Sequence, residues 1–488
     1  MRGISWRAYC PVVVLSVLFF CAGCRSIEAP KKPDAIWAPP KWEKSTRTED
    51  KVWSSIRSKT IDTSKPFSLS ELIDLALQNS PATREVWEKA RAAQALVTEA
   101  NSKLYPDINI GGGAEYNKKV ANRKFDEIDE INYGPEAKLT FMILDFGGRS
   151  ASIRKAKQTL LSSNFQFNRA IQDLLLAVEE AYYEFYSAQS ALVAAEADVK
   201  DAETSLDAAQ QKMNAGLGVK LDVLQARSNY DDALYTREVA RGQIKIAEGN
   251  LAVIIGVPAD TDMDIVNPRE DVPDNLTGED IRGVIDMALA RRPDIASIRA
   301  DVRAKEAAVI VARSGLWPTL NAGASTDANW YKYYGDERND PDKDEDDYEV
   351  SGYLSVNWNV FDGFSNWALL QQSKALAEAS REELRRSELQ ASADVWSRFY
   401  NYKTAVSKKQ FSKAFYDTAG ESYGLALEGY NAGLKTILDL LQAQSELSDA
   451  RSKLIQSQKD LFIALVQMAH SMGIIGTKQQ YNASAGGV

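Results

Sequence analysis

Asn214-Ala215-Gly216-Leu217-Gly218-Val219-Lys220-Leu221-Asp222-Val223-Leu224-Gln225-Ala226 is a glycine-broken turn followed by the start of a helix, and the chain carries it twice. It returns as Asn431-Ala432-Gly433-Leu434-Lys435-Thr436-Ile437-Leu438-Asp439-Leu440-Leu441-Gln442-Ala443, at a fixed offset (431 − 214 = 443 − 226 = 217). Ahead of the first turn there is no Pro or Gly from Arg149 to Ala215. Apolar residues fall at Phe167, Ile171, Leu174, Val178, Ala181, Phe185, Ala188, Leu192, Ala195, Val199, Ala202, Leu206, Ala209 and Met213. The steps alternate four and three, which is a heptad seam. A helix of that span is about 100 Å long at 1.5 Å per residue, longer than a compact soluble domain requires. Gly216 and Gly218 break it, and Leu221 to Ile255 predicts a helix returning about half the distance until Gly256-Val257-Pro258. The second copy repeats the plan, with Phe364 to Tyr430 long, a break at Gly433, and Ile437 to Met472 returning. No Pro follows Pro341, as long helices need.

The duplication extends to the front of each half. Ala76-Leu77 and Pro81 recur as Ala288-Leu289 and Pro293, and Leu104-Tyr105-Pro106 recurs as Leu316-Trp317-Pro318. The offset there is 212 (318 − 106), so five residues separate the two registers (217 − 212). Phe67 to Asn79 predicts a short helix, with Ser68 and Glu71 at capping-box spacing. Pro81 opens a second helix to about Lys103. The period then changes to two. Tyr105 to Tyr116 and Ala137 to Asp145 alternate, as do Trp317 to Tyr331 and Tyr353 to Asp362. Each run is close to the 9–11 residues or so of a tilted transmembrane strand. Asp336 to Asp347 between the last two is too charged to bury and predicts a water-facing loop. Trp330, Tyr331, Tyr333, Tyr334, Tyr348 and Tyr353 flank it, which suits a membrane-interface girdle; surface tyrosines on a soluble hairpin are the other reading. Four strands cannot close a membrane barrel, because two open edges would face lipid. The strands therefore require a homo-oligomer that pools them.

The 488 residues carry a net charge of −10, which argues against a nucleic-acid surface. The one histidine, His470, excludes histidine triads and multi-histidine metal sites. No phosphate loop or nucleophile motif appears, and Gly111-Gly112-Gly113 reads as strand; an enzyme, a metal and a cofactor are not expected. Arg2 and Arg7 precede an apolar run, Pro11 to Ala22, of signal-peptide length. Ala22-Gly23-Cys24 resembles a lipobox, with Cys21 where Leu is usual, and makes Cys24 the expected lipidation site. Cleavage there removes Cys10 and Cys21 and leaves no stray thiol; an ordinary secretory signal is the alternative. Several acyl chains give stable membrane anchoring, and Arg25 after the cysteine, where lipoproteins kept in the inner membrane usually carry Asp, implies by that resemblance outer-membrane lipid. The expected organisation is a lipoprotein signal peptide (1–23), an extended lead-in (24–66), a first repeat (67–257), a linker (258–278), a second repeat (279–473) and a tail (474–488).

The repeated Leu-Asp-Val/Leu-Leu-Gln-Ala after a Gly-rich turn resembles the TolC-type outer-membrane efflux channel family. So do the paired Leu-Tyr/Trp-Pro strand starts and the junctions Asp145-Phe146-Gly147-Gly148 and Phe361-Asp362-Gly363-Phe364. With the lipobox, the likeness is to its OprM-like lipoprotein branch, from about Phe67 to Gly473. The resemblance implies a mainly α fold with a transmembrane β-barrel part: a homotrimer with a shared barrel of twelve strands and a long coiled α-helical barrel reaching into the periplasm. It also implies docking on a periplasmic adaptor protein and an inner-membrane pump, a passive duct for small molecules, and no chemistry in this component. The rival is a lipid-anchored periplasmic coiled-coil scaffold without a pore. The family places acidic residues at the periplasmic mouth, here Asp439 with Asp222 as its counterpart; Gln442 and Gln225 stand where a second acid is frequent. Carboxylate rings bias a pore toward cations. Asp439 also stands at capping-box spacing from Thr436, so a helix-cap role stays open, while Asp222 has Val219 in that place. Gly216, Gly218 and Gly433 mark the helix-turn tips.

Overall fold

The computed structural model describes residues 65–120, 127–267, 281–334 and 345–475. By its contacts the chain divides into Met1–Ile61 and Asp62–Val488, and all described residues belong to the second unit. The signal peptide, Cys24, most of the lead-in, the later part of the linker, nearly all of the tail and most of the acidic loop lie outside the described residues.

The elements follow one order twice. The first copy is α1 (Leu69–Asn79), α2 (Pro81–Ser102), β1 (Asp107–Val120), β2 (Glu127–Leu144), α3 (Gly148–Asn214) and α4 (Lys220–Ile254). The second is α5 (Ile281–Arg291), α6 (Pro293–Ser314), β3 (Thr319–Tyr334), β4 (Glu345–Asn357), α7 (Ser365–Asn431) and α8 (Ile437–Ser471). Both long helices have 67 residues and both returning helices 35. The expected first helix begins two residues late: Phe67 forms a parallel bridge with Ile265, and Ser68 caps α1 in a full capping box with Glu71.

Long helices end where glycine lets the backbone turn left-handed. Gly216 and Gly433 have φ of 73° and 78°. After α3, Leu217 N–H bonds the Lys212 carbonyl and Gly216 N–H that of Met213, a Schellman pattern. Leu434 to Gly429 and Gly433 to Tyr430 repeat it after α7, and Gly256 and Gly473 close α4 and α8 the same way. Gly218 serves differently, since a Cβ there would meet the Met213 nitrogen at 3.1 Å.

The heptad seam of α3 is buried at Val178, Ala181, Phe185, Ala195, Ala202, Leu206 and Ala209, while Met213 at the tip is exposed. Near the strands, α3 packs between α2 and α6, and α6 reaches α7; toward the tip it packs between α4 and α8, and α8 reaches α7. The largest tip-side cluster joins Leu206 and Ala209 of α3 to Tyr423, Tyr430, Leu440 and Leu447. Alanine in the seam lets the helix backbones approach closely.

The four strands form one antiparallel sheet in the order β1-β2-β3-β4. They run 13 to 18 residues, longer than a bilayer requires. Ladder hydrogen bonds form equally well in water, so pairing continues past the apolar stretch. For the same reason Glu345 to Asp347, expected in the charged loop, begin β4. At its other end β4 stops at Asn357 rather than Asp362, where its partner strand begins at Thr319. The β2–β3 ladder is interrupted at Gly134-Pro135. Pro135 has no N–H to give, and a Cβ on Gly134 would fall 1.8 Å from the Ala328 carbonyl oxygen.

Candidate functional site

Two regions carry the functional features, the sheet and the helix tips. Register assigns every strand residue to a face. One face holds Ile108 and Ile110, Leu139 and Phe141, Ala322 and Ala324, and Leu354 and Val356. Most of these side chains are exposed, Ile110 to 83 % and Leu354 to 72 %, while Phe141 and Ala322 are half-buried. The opposite face holds Asn109, Asn132, Thr140, Asn321, Ser325, Ser351 and Ser355. It also gathers Asp107, Glu115, Glu130, Glu136, Asp327, Asp347 and Glu349 against Lys138 as the basic residue among the described side chains. A soluble sheet buries its apolar face and wets its polar one; here the apolar face is bare, and both edges, β1 and β4, are unpaired in one chain.

The aromatic girdle is split by the same register. Trp330 and Tyr348 lie on the apolar face, and Tyr133 joins them with its ring 5.8 Å from that of Trp330. Tyr331 and Tyr353 lie on the polar face, contrary to the expectation of one belt. Tyr353 covers the cross-strand Gly323, where its ring fills the space of a Cβ. Alternation in strands decided this, and aromatic density near the loop concealed it.

At the tips, Thr436 and Asp439 form the capping box. The Asp439 carboxylate accepts from Thr436 N–H and Oγ1–H, both at 2.8 Å, and Asp439 N–H donates to Thr436 Oγ1 at 3.2 Å. These bonds, with Lys435 nearby, hold its carboxyl below the usual carboxylate range. Asp222 has no such partner at Val219, whose backbone caps α4 without a side chain. Burial first, and the charge of Asp222 second, push the hydroxyl of Tyr430 in the second repeat up. The Lys212 ammonium sits 4.0 Å over the Tyr430 ring and donates to the Tyr430 carbonyl. Lys212 and Tyr430 thus join α3 to α7 beside the two turns, with the charge of Asp222 on α4 acting on the same hydroxyl. Sequence reading missed this group, although Met213 is the repeat counterpart of Tyr430 and that divergence was visible.

Above the tip, Arg451 of α8 bridges two carboxylates of α3, Asp201 at 2.7 Å and Asp198, with Ser448 donating to Asp198 at 2.6 Å. Nearer the strands, Arg292 is buried and binds Asp294 at 2.8 Å and Asp394 at 2.9 Å. His470 meets Asp173 at 2.7 Å, and Arg169 meets Asp173 at 2.9 Å. The Arg451 and His470 contacts stitch the second repeat to the first and Arg292–Asp394 ties the start of α6 to α7, while Arg292–Asp294 and Arg169–Asp173 are local pairs.

The outer membrane efflux protein family profile matches residues 72–257 and 284–474. Protein CyaE of Bordetella pertussis is 27 % identical over 414 residues, covering 84 % of this chain and 85 % of that one. The pyoverdine export outer membrane protein OpmQ of Pseudomonas putida is 24 % identical, covering 90 % and 92 %. The crystal structure of the outer membrane protein VceC from Vibrio cholerae superposes with a TM-score of 0.73 at 16 % identity, over 83 % of this chain and 96 % of that one. With the family profile spanning most of both repeats, the chain belongs to the outer membrane efflux protein family.

Proposed function

We propose that the chain is the outer-membrane channel component of a tripartite efflux system, a passive duct that performs no chemistry of its own. The observation that carries this is the sheet, apolar and bare on one face, polar on the other, open at both edges. Three copies pooling four strands each give twelve, with apolar side chains toward lipid and polar ones toward a water-filled lumen. The long helices continue the duct into the periplasm, where an adaptor bound to an inner-membrane pump receives the tips. No described helix is long and apolar enough to cross a membrane. Cys24 carries the lipid anchor in this reading, and mass spectrometry of the mature N-terminus should find it acylated. Asp439 and Asp222 of three copies converge on the mouth; Asp439 then serves both as a cap and as part of a carboxylate ring.

Purified protein reconstituted into planar bilayers should conduct ions in discrete steps. Folded, bilayer-integrated protein that conducts nothing would leave the anchored scaffold as the better account.

A further inference from the structure

The two hairpins of the sheet are images of each other in the duplication, and they differ at one level. Residues of β1 recur in β3 shifted by 212 (319 − 107), and residues of β2 recur in β4 shifted by 217 (357 − 140). Three consecutive pairs of the first hairpin are Gly111↔Glu136, Gly112↔Pro135 and Gly113↔Gly134. Their images in the second are Gly323↔Tyr353, Ala324↔Gly352 and Ser325↔Ser351. The second hairpin is tied there. The Ser325 and Ser351 hydroxyls lie 2.8 Å apart across the strands, and the Tyr353 ring covers Gly323, as aromatic side chains do when they compensate a strand glycine. In the first hairpin Gly113 and Gly134 have no hydroxyls to bond, and Glu136 stands at the position of Tyr353.

Crowding explains Gly134 alone among these glycines of the first hairpin. There the Ala328 carbonyl oxygen takes the place of a Cβ. A Cβ on Gly112 would make ordinary contact at 3.4 Å, and one on Gly111 or Gly113 would meet nothing within 4 Å. Glycine inside a strand costs stability and packs nothing, so Gly111 and Gly113 contribute backbone freedom. The sheet is also interrupted beside Gly134 and Pro135. β2 pairs with β3 at Tyr133↔Trp330 and at Glu136↔Asp327, with no pair between them, and Pro135 has no N–H to offer. On the far side of β3 the ladder to β4 continues without a break through Ala328↔Tyr348 and Asn329↔Asp347.

We propose that this line is a crease. The half of the β1–β2 hairpin farther from the helices, 114–118 with 130–133, bends about Gly111–Gly113 and Gly134–Pro135, while the β3–β4 hairpin keeps its shape. The proposal rests on the channel reading above. With three copies around one duct, three bending hairpins then alternate with three fixed ones, and the outer rim narrows and widens at the bending ones. Pairing with β3 resumes beyond the crease at Tyr133↔Trp330, so the moving part stays in the sheet and no edge opens toward lipid. The rim is a second point of compliance, separated from the helix tips by the length of the long helices, and its motion requires no change at the tips.

Amide hydrogen exchange of the full-length protein in mild detergent tests the crease. Residues 114–118 and 130–133 should exchange about tenfold faster than their images, 326–330 and 347–350. Gly111→Thr with Gly113→Thr puts strand-forming residues where side chains have room and should bring the first hairpin to within about threefold of the second. Ser325→Gly with Ser351→Gly removes the hydroxyl tie and should speed the second hairpin about tenfold, which keeps the test decisive where the threonine variant fails to assemble. In planar bilayers the wild type should step between conductance levels, and the threonine variant should step about tenfold less often. Equal exchange in the two wild-type hairpins, a second hairpin unmoved by the glycine pair, or a folded threonine variant that exchanges and steps like the wild type overturns the crease. Faster exchange in the first hairpin of a folded, bilayer-integrated protein that conducts nothing keeps the crease as a property of the sheet and overturns the channel reading instead.

Discussion

Arg451→Leu tests whether the two repeats are held by charge above the tip. Leu is the residue at the repeat counterpart, Leu234, so the helix tolerates it at that level. In the wild type the Arg451, Asp198 and Asp201 side chains are 17 %, 16 % and 22 % exposed. Removing the guanidinium strands two carboxylates three residues apart on one helix face, where like charges repel. Breaking a fully buried pair costs about 3–5 kcal/mol, and an exposed pair about 0–1 kcal/mol. With roughly a fifth of each side chain wet, about 2–3 kcal/mol is expected, or about 30- to 150-fold in a local opening equilibrium. Amide hydrogen exchange reads this directly. Protection should fall by that factor around residues 195–209 of α3 and 444–454 of α8, with the β sheet unchanged. The triple variant Asp198→Phe, Asp201→Thr and Arg451→Leu installs the other copy's residues and leaves no orphaned charge, so it should recover most of the loss. Exchange within threefold of wild type in the single variant, or a triple variant as labile as the single, would refute the charge-bridge account.

Acid should loosen the seam nearer the strands. Burial raises the carboxyls of Asp173 and Asp294, but His470 and Arg169 for the first, and Arg292 and Arg169 for the second, outweigh it and hold both below the usual range. The folded values lie under the unfolded value of about 3.9, so their stabilisation is complete above that pH and is lost as pH falls through the folded values. The melting temperature should hold from pH 7 to 5 and drop below pH 4, and Asp294→Asn should melt lower at pH 7 and change less in acid. Asp439→Ala should alter cation selectivity or resting conductance with assembly intact; a lowered melting point with unchanged single-channel behaviour would leave Asp439 as a helix cap alone. Glu136→Gln with Asp327→Asn, cross-strand neighbours on the polar face, should reduce the cation-to-anion permeability ratio measured from reversal potentials, and an unmoved reversal potential would exclude the sheet wall from selectivity.

The helical plan was legible because three signals coincided: a long interval free of Pro and Gly, a heptad seam, and glycines at the turns. Each has one dominant physical outcome. The strands were harder to bound. Alternation marks where a strand must be amphipathic, not where its ladder stops, so the charge of Glu345–Asp347 predicts loop although their backbone pairs with β3. Side-chain partners were less legible still. Thr436 and Asp439 are three residues apart, and their capping box follows from local spacing. Arg451 and Asp198 are 253 positions apart, and nothing in either segment announces the other. Lys212 and Tyr430 meet because two turns of separate repeats lie together.

Divergence between the repeats carries the information that duplication hides. Where both copies meet the same surroundings, residues agree, as in Asn-Ala-Gly at each tip. Where one copy meets its own chain and the other does not, they differ, as at Asp198 and Phe415 or Arg451 and Leu234. The strand-to-helix junctions show both behaviours in four residues. Phe146 and Gly147 have φ of 51° and 92°, and Gly363 and Phe364, at the same repeat positions, have 67° and 70°. Two consecutive left-handed residues are therefore required in each copy, yet glycine relieves only one, and the order is exchanged. A left-handed phenylalanine costs about 1–3 kcal/mol, so the backbone at this corner is imposed by what surrounds it. Asp145 and Asp362 supply part of that: each carboxylate accepts the N–H four residues on, from Arg149 and from Asn366, and thereby fixes the first turn of its long helix. The exchanged order also changes what each ring meets: Phe146 stacks on Trp317 at 5.4 Å, while Phe364 packs edge-on against Phe361 at 5.5 Å. The corner's backbone is thus common to both copies, and its aromatic surface is specific to each.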